Sequence, residues 1–383
     1  MKEIVIIHHE PLTKKIKRNF FIDELISKGI VVMYIDVHYV LFEKLSLIDE
    51  IQTDYSFSVK NINQIKELIF KHRNALFILE FDLTVKSFWI LRYLTKNNCL
   101  MSSFGIHSSI NLSLKEKIMN IHNYGIGKLL PFAINFINKL AVKLLKIFYP
   151  IKNIDIAFYC GSSSFDKYKN VNIKVPINSF DFEDFIAVGS HSCENSLVSD
   201  KYAVFLDEYL PYHPDVKIWG KQALKPDEYF KCLNKLFDEI ERVLSIKVVI
   251  ALHPKADYST NIFLNRATFK YKTAELVRDC EFVIAHDSLS ISFAILNSKP
   301  ILFTYMSDFF KMGTTIMVLL KKFSKMLDCT LLRMDQDFSI NEVPRFSESG
   351  YLNYKYKYLT NENSENVKNV DILNSFITSY CYK

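Results

Sequence analysis

Short, continuous apolar runs alternate with longer segments of helical periodicity through most of the first half of the chain. Apolar runs lie at 3–9, 30–37 and 75–83, and the segments at 15–29 and 62–73 repeat apolar residues at helical spacing. Continuous apolar runs are typical of strands buried on both faces, and parallel strands need a helical crossover between them. The first half therefore predicts a parallel sheet covered by helices.

The same order returns in the second half with shorter connections. Apolar runs lie at 200–210, 247–254, 282–288 and 300–305, and a helical pattern fills 226–244. Two consecutive parallel α/β halves predict the GT-B fold, in which two Rossmann-like domains have parallel sheets facing an interdomain cleft. Ligands of such sheets bind beyond the carboxyl ends of the strands.

The alternation is interrupted between about residue 110 and 153, and it resumes with apolar runs at 154–161 and 184–190 that are predicted as strands. Three parts are expected: an N-terminal acceptor-side domain over 1–180 with a basic amphipathic insertion at about 112–152, a nucleotide-sugar-binding domain over 181–345, and a tail over 346–383. We expect the tail to form a helix that packs back on the N-terminal domain.

Composition excludes several classes of protein. Apolar residues make up 49% of the chain and charged residues 23%, as in a globular protein, and the formal net charge of +6 is too weak to indicate nucleic acid. Seven scattered cysteines without a CxxC pair indicate reduced thiols in the cytoplasm. Because no apolar stretch reaches bilayer length and no signal peptide is evident, we expect a cytoplasmic protein, either free or peripheral at the inner face of the cytoplasmic membrane.

Polar residues follow three of the apolar runs in the second half, where each predicted strand ends. The first run delivers Asp207 and Glu208, and the second delivers His253. The third run delivers a mixed group: His286, Asp287, Ser288 and Ser290. Because the carboxyl ends of parallel strands share one edge of the sheet, we expect the three groups to face one crevice.

His253 is followed by Pro254, which favours an extended backbone and a fixed imidazole at the strand end. Such an imidazole can bind a phosphate, or protonate a leaving phosphate near neutral pH. Lys255 is a second candidate for contact with the anion. The alternative is a histidine whose ring is satisfied by local hydrogen bonds where the strand ends.

The segment HDSLSIS (286–292) places serine hydroxyls around the first turn of a predicted helix. Free backbone N–H groups and hydroxyls at a helix N-terminus form a seat for a phosphate. Ordinary capping by Asp287 or Ser288 is the alternative, and it is compatible with anion binding.

Transfer of a group to a substrate hydroxyl needs a base that removes the hydroxyl proton. The carboxylates after the first of these runs are the candidates for this base. We place the base at Asp207, with Glu208 second; a turn-capping role is the alternative, and Asp215 competes for the same task.

Two further motifs carry polar groups outside this edge. The histidines and the acid after the first apolar run of the chain are placed on the acceptor side, with a structural role as the alternative: His8, His9 and Glu10. The D-x-D motif in MDQDF (334–338) lies late in the chain, outside the mid-sheet position in which such motifs hold a divalent cation. We therefore expect a solvated loop there, no metal and no cofactor.

The interruption of the alternation is basic and apolar. No acidic residue occurs between 117 and 154, and the segment 126–152 carries five lysines among Leu, Ile and Phe. A basic amphipathic helix of this kind can lie on anionic lipid. The alternative is a helix whose wide apolar face packs into the N-terminal domain.

The His-Pro motif and the serines after the next strand resemble the nucleotide-binding motifs of bacterial sialyltransferases, polysialyltransferases and capsular Kdo transferases. This resemblance implies that His253 and Pro254 contact the CMP of a donor and that Ser288 and Ser290 hold its phosphate. The segment 286–303 also resembles teichoic-acid glycerophosphotransferases, which use CDP-glycerol. Sialyltransferases carry an acidic pair followed by glycine in the first domain, whereas the loop at 102–109 has no carboxylate.

The expected activity is an inverting, metal-independent transfer of a sialic acid-like or Kdo-like sugar from a CMP donor to a bacterial surface glycan or a lipid-linked glycan. One alternative keeps the fold and changes the donor to CDP-glycerol or to a UDP- or GDP-sugar. Another is a non-catalytic, membrane-associated protein of polysaccharide assembly.

Overall fold

The computed structural model describes residues 2–42, 50–105, 129–189, 196–213, 224–258, 261–312 and 314–380. The chain forms two compact units, which divide between residues 180 and 181 and again between 359 and 360. Unit 1 contains the described residues up to 180 together with 360–380, and unit 2 contains those from 181 to 359.

Unit 1 is built on a seven-stranded sheet in which every described pairing is parallel. Its strands are β1 (Glu3–His8), β2 (Val31–Asp36), β3 (Ser56–Ser58), β4 (Leu76–Glu80), β5 (Leu100–Gly105), β6 (Ile156–Tyr159) and β7 (Ile173–Pro176). Their order across the sheet is β3-β2-β1-β4-β5-β6-β7. The order reverses direction at β1, so the ends of β1 and β4 lie at a topological switch point.

Helices cover both faces of this sheet. They are α1 (Lys14–Asn19), α2 (Ile22–Ser27), α3 (His38–Leu41), α4 (Ile62–Lys71), α5 (Val85–Lys96), α6 (Leu129–Phe148) and α7 (Gly161–Lys167). Alternate residues of β1 enter different cores: Ile4 and Ile6 pack on one face, and Val5 and Ile7 on the other. A strand buried on both faces is the reason for the continuous apolar run in the sequence.

The last helix of the chain belongs to unit 1. Val370 and Leu373 of α15 (Asn369–Tyr380) lie in the same core as Ile4. The start of this helix is held by a reciprocal pair, since Asn178 N–H donates to Asn369 Oδ1 (2.7 Å) and Asn369 Nδ2 donates to the Asn178 carbonyl (2.8 Å). Residues 346–359 remain in unit 2, so the tail of the chain divides at Thr360.

Unit 2 contains a six-stranded sheet whose described pairings are again all parallel. Its strands are β8 (Tyr202–Leu206), β9 (Lys247–Leu252), β10 (Thr268–Lys270), β11 (Phe282–Ala285), β12 (Ile301–Tyr305) and β13 (Leu331–Arg333). The order β10-β9-β8-β11-β12-β13 makes β9, β8 and β11 neighbours. The three strand ends singled out in the sequence therefore lie side by side.

The helices of unit 2 complete one continuous core around this sheet. They are α8 (Phe180–Gly189), which starts at the last residue of unit 1, α9 (Pro226–Leu244), α10 (Thr273–Asp279), α11 (Ile291–Leu296), α12 (Phe309–Met312), α13 (Thr314–Leu327) and α14 (Glu348–Tyr354), followed by a π-helical turn at Lys355–Leu359. Within the described part of the chain, no helix is both long enough and apolar enough to cross a membrane.

The prediction of two parallel α/β sheets is confirmed, and two details of the predicted elements are wrong. The segment 184–190, predicted as a strand, lies largely in α8. Phe182, Phe185 and Ile186 of α8 contact the core at helical spacing. The helix predicted over 15–29 is instead two short helices, because Phe21 between them has a left-handed backbone with φ of 52°.

Candidate functional site

The carboxyl edge of the unit 2 sheet brings the predicted polar groups together in adjacent pairs. Leu206 of β8 lies opposite Ala251 of β9, so Asp207 lies beside the start of the His253 turn. On the other side β8 pairs with β11, which places Glu208 beside Asp287. We call the polar residues at this edge the unit 2 edge cluster: Asp207, Glu208, His253, Asp287, Ser288 and Ser290.

Asp207 is a buried carboxylate that holds two loops in place. Its Oδ1 accepts hydrogen bonds from the Tyr209 N–H (2.9 Å) and the Tyr258 hydroxyl (2.9 Å). Its Oδ2 accepts one from the His253 N–H (3.2 Å), and the residue is only 6% exposed. Burial raises the pKa of Asp207, and these three donors partly offset the rise. The geometry does not favour the predicted role as base, because both oxygens already serve donors inside the protein.

Glu208 and Asp287 form a pair of carboxyl groups joined by a side-chain hydrogen bond. Burial, followed by the nearby Asp287 and Asp207 charges, raises the pKa of Glu208 well above its ordinary value, against one hydrogen bond from the Ser288 N–H. Glu208 Oε1 is buried and accepts no hydrogen bond from the described residues. The like charge of Asp287 therefore favours the protonated form of Glu208.

His253 is half-buried and held by its own turn. Its backbone carbonyl accepts from the Ala256 N–H (2.8 Å), which closes a turn with Pro254 at its second position. Its Nδ1 accepts from the Lys255 N–H (3.1 Å). In the neutral ring the proton is therefore on Nε2, which is a hydrogen-bond donor. The rings of His253 and His213 meet edge to face, with 5.0 Å between centroids.

The serines lie where the sequence predicts, but the helix behind them is short. Ser290 is the N-cap residue of the six-residue α11, and its side chain makes no capping hydrogen bond. The Ser290 N–H donates to Ser288 Oγ (3.3 Å), and both residues are half-buried. A third hydroxyl of the segment, on Ser292, is directed inward, where it donates to Asp181 Oδ2 and to the Leu289 carbonyl. Two hydroxyls, rather than three, are available at this edge.

His286 is not part of the edge surface, which corrects its predicted role in nucleotide binding. It is 0% exposed, its Nδ1 donates to the Thr304 carbonyl (2.7 Å), and its Nε2 accepts from the Tyr229 hydroxyl (2.9 Å). Burial lowers the pKa of His286 to about 4, so the ring is neutral at pH 7. Both nitrogens are occupied, and no ligand can reach them without unfolding the core.

Sequence reasoning missed the tyrosines around this edge. The rings of Tyr209 and Tyr258 meet edge to face with 5.0 Å between centroids, and Tyr212 stacks on Phe230 at 6.4 Å. Tyr209 has a left-handed backbone with φ of 53°, which directs its N–H to Asp207. The dense tyrosine content of 209–212 was the available signal. Asp215, the competing base candidate, lies outside the described residues.

The carboxyl edge of the unit 1 sheet carries the predicted acceptor-side residues at the end of β1, and Glu80 ends the neighbouring strand β4. The rings of His8 and His9 stack with 4.6 Å between centroids at an angle of 12°. His8 Nδ1 accepts from the Glu10 N–H (3.0 Å), and His9 Nδ1 donates to the Glu80 carbonyl (2.7 Å). Burial raises the pKa of Glu80 to about 7, against a hydrogen bond from the Phe104 N–H and the charge of Lys167.

A second pair at this edge was also missed. Asp36, which ends β2, is 3% exposed and accepts at Oδ2 from His38 Nδ1 (2.7 Å) and Ser58 Oγ (2.8 Å). Its Oδ1 accepts from the His38 N–H (2.8 Å). The carboxylate fixes the orientation of the imidazole, as in proton-relay pairs, and it also accepts from the N–H of the first residue of the four-residue α3.

Neither metal-ligand candidate in the described residues has a geometry that suits a metal. The nitrogens and oxygens of His8, His9 and Glu10 lie within 4.8 Å of one another. The two rings are nearly parallel, however, so their in-plane lone pairs do not converge on one ion. In the D-x-D motif, hydrogen bonds from Arg333 and Ser307 lower the pKa of Asp335 to about 2 despite partial burial, so this carboxylate is held by an arginine.

Comparison with known proteins gives structural likenesses alone. No protein-family model matches the chain, and no curated protein matches it. Solved structures similar to it include UDP-GlcNAc 2-epimerase from Methanocaldococcus jannaschii (10% identity, TM-score 0.49, 100% of both chains covered). Others are the spinosyn forosaminyltransferase SpnP (10%, 0.40, 98% of this chain and 93% of that one) and the glycosyltransferase SnogD from Streptomyces nogalater (11%, 0.38, 79% and 80%). The fold assignment rests on the strand order and the parallel pairing of this chain.

Proposed function

We propose that this chain is an inverting, metal-independent glycosyltransferase whose nucleotide-sugar donor binds at the unit 2 edge cluster. The observation that supports the proposal most directly is the His253 turn. The turn fixes the His253 backbone, Nδ1 of the ring accepts from the Lys255 N–H, and the neutral ring therefore carries its proton on Nε2, which is a hydrogen-bond donor. Such a donor at the same sheet edge as two serine hydroxyls, with β8 between the two strands that carry them, suits a phosphate.

In the proposed reaction an acceptor hydroxyl attacks the anomeric carbon of the sugar. The bond from that carbon to the donor phosphate oxygen breaks, and the nucleotide leaves with the electron pair. The Nε2–H of His253 and the hydroxyls of Ser288 and Ser290 hydrogen-bond the departing phosphate, which gains charge in the transition state. Lys255, which is exposed in the same turn, adds a positive charge to this side.

The proton of the acceptor hydroxyl goes to a carboxylate, and we assign this role to Glu208 in place of Asp207. Burial and the neighbouring Asp287 raise the pKa of Glu208 well above its ordinary value, and a carboxylate with a raised pKa is the stronger general base. Asp207 then acts as a positioning residue that fixes the His253 backbone.

For the donor we favour a CMP-activated sialic acid-like or Kdo-like sugar and, for the acceptor, a bacterial surface glycan or lipid-linked glycan. The His-Pro and serine motifs support this choice. CDP-glycerol, UDP-sugars and GDP-sugars remain the alternatives. A thermal-shift titration with CMP, CDP, UDP and GDP separates cytidine donors from UDP- and GDP-sugars, because the nucleotide that stabilises the protein most identifies the base of the donor. Stabilisation by none of the four would contradict the proposal and favour a non-catalytic assembly protein.

The role of His253 is tested by release of CMP from CMP-sialic acid and CMP-Kdo. We expect His253→Ala to abolish both nucleotide stabilisation and CMP release. Leu352→Ala, at a side chain that is 55% exposed elsewhere in unit 2, is the matched control and should keep both. Full CMP release by His253→Ala would overturn the assignment.

A further inference from the structure

Helix α6 exposes a row of large apolar side chains that the rest of the described chain does not cover. Six of them, each between 50% and 73% exposed, form what we call the apolar stripe: Phe136, Ile137, Leu140, Leu144, Ile147 and Phe148. Scattered single apolar residues are normal on a protein surface, but a contiguous row of this size marks an interaction site. The expectation that the wide apolar face of this helix packs into its own domain does not hold for these residues.

The helix has three distinct sides. At about 100° per residue, the apolar stripe occupies roughly a third of the circumference. Val142, which is 7% exposed, marks the side that packs against unit 1. Lys139, Lys143 and Lys146 are exposed and lie together between these two sides; we call them the lysine row. An apolar strip bordered by cations is the arrangement of a helix that lies in a lipid interface.

The C-terminal end of α6 is fixed to the fold by α5. Trp89 and Tyr149 meet edge to face with 5.3 Å between centroids, and the Lys152 N–H donates to Thr95 Oγ1 (3.2 Å). Trp89 is 41% exposed and Tyr149 is 43% exposed. Tryptophan and tyrosine are enriched at the level of lipid headgroups, so Trp89 and Tyr149 add to the apolar stripe two residues that also suit a lipid interface.

We propose that the apolar stripe and the lysine row bind the surface of an anionic phospholipid bilayer, with α6 parallel to the membrane plane. The stripe enters the boundary between headgroups and acyl chains, and the lysine row contacts lipid phosphates. Charge supports this partner, since no acidic residue occurs from 117 to 154 to repel the lipid.

A second copy of the chain fits this surface less well than lipid does. A helix-pairing seam is a narrow stripe, and it needs opposite charges along its borders to pair two copies. Here Phe136 and Phe148 widen the stripe. In a parallel pair the three lysines would face the lysines of the other copy, and in an antiparallel pair they would find no acidic residue to face. Membrane binding is independent of the proposed transferase activity, because it is measured without substrate.

The test is co-sedimentation of the full chain with vesicles of phosphatidylcholine alone and of phosphatidylcholine with 30% phosphatidylglycerol, a composition chosen for the assay. We expect the wild type to bind the anionic vesicles at least about tenfold better than the neutral ones, with binding reduced at high salt. Reversing the lysine row (Lys139→Glu, Lys143→Glu and Lys146→Glu) should abolish this preference.

Apolar contact is tested separately by Leu140→Ser, Leu144→Ser and Ile147→Ser, which should lower binding at least about tenfold to vesicles of either composition. These side chains are exposed, so the variant is expected to fold. Its matched control changes three exposed apolar residues elsewhere: Phe70→Ser, Phe310→Ser and Leu352→Ser. Control binding should equal that of the wild type.

Three results would overturn the proposal. The first is that the wild type fails to bind anionic vesicles. The second is that the stripe variant and the lysine variant both bind as well as the wild type. The third is that the wild type is a dimer in solution, that the stripe variant is a monomer, and that neither protein binds vesicles. The last result would assign the surface to a second copy of the chain.

Discussion

Two histidines that follow strands at the same edge of the unit 2 sheet differ in whether a ligand can reach their rings. His253 follows β9 and His286 follows β11, and both come directly after a buried strand. His253 is held by its own turn with Nε2–H as a donor, whereas His286 is 0% exposed and has both nitrogens bonded inside the core. The difference shows that a position at a strand end decides where a side chain starts and that its neighbours decide whether a ligand can reach it.

Those neighbours come from distant parts of the chain, which limits what sequence reveals. Thr304 and Tyr229, the partners of His286, lie on β12 and α9. The motif HDSLSIS contains neither, so it could not indicate burial. Pro254, by contrast, is adjacent to His253 in sequence, and the turn in which it takes the second position was predictable.

The largest expected effect is on the activity of His253 variants. His253→Ala should lower turnover of the nucleotide-sugar by at least about a hundredfold, because it removes the group that donates a hydrogen bond, or a proton, to the phosphate. The free energy of unfolding should stay within about 0.5 kcal/mol of the wild type. His253→Gln keeps an amide N–H near the position of Nε2 and should bind nucleotide better than His253→Ala. Steady-state kinetics and urea unfolding check this. Equal loss of activity and stability would give His253 the structural role of His286.

The next largest effect concerns stability in acid. Because burial lowers the pKa of His286 to about 4, the folded protein binds this proton less readily than the unfolded chain. Stability is present above the ordinary pKa of histidine and is lost as the pH falls from there toward 4. From pH 7.5 to 4.5 the loss attributable to His286 should be roughly 2–3 kcal/mol.

Urea unfolding at both pH values measures this loss, with His286→Gln as the control that should lack it. A His286→Gln variant with the same acid dependence as the wild type would show that other groups cause it.

The carboxyl pair should give the opposite dependence. Since the pKa of Glu208 is raised in the folded state, its contribution to stability is present at low pH and is lost as the pH rises through the folded pKa. Glu208→Gln should therefore lose this decline and, above the folded pKa of Glu208, be at least as stable as the wild type. If Glu208 is also the base, this variant loses activity while it gains stability. Asp207→Asn should weaken this decline without removing it, because burial and Asp287 are larger causes of the raised pKa of Glu208 than the Asp207 charge is.

The smallest expected effect is that of Tyr258→Phe, which removes one donor from the buried Asp207. We expect a loss of about 1 kcal/mol in the free energy of unfolding and a modest rise in the nucleotide dissociation constant, because the loop that carries His253 loosens. Calorimetry and urea unfolding give both quantities. A variant that loses activity as completely as His253→Ala would indicate that Tyr258 contacts the substrate itself.

The two parallel sheets were predictable because most of the central strands are uninterrupted apolar runs. The edge strands β3, β7, β10 and β13 were not predicted, since each has only three or four residues and few of them are buried. The pairing of Glu208 with Asp287 depends on β8 and β11 being neighbours in the sheet. The topology of the fold sets this strand order, and the local sequence does not.

The site in unit 1 was less accessible to sequence reasoning than that in unit 2. The HHEP motif was visible, but the contact of His38 with Asp36 and the raised pKa of Glu80 arise from burial. None of these groups has a marker like the proline after His253.

The central claim is that His253 Nε2 contacts the phosphate of the donor nucleotide. A crystal structure of the protein with CMP tests it directly. We predict a phosphate oxygen at about 3 Å from His253 Nε2, with Ser288 or Ser290 Oγ on the same phosphate and His286 still bonded to Thr304 and Tyr229. A nucleotide bound with its phosphate away from the unit 2 edge cluster, or no nucleotide at saturating CMP, would contradict the account.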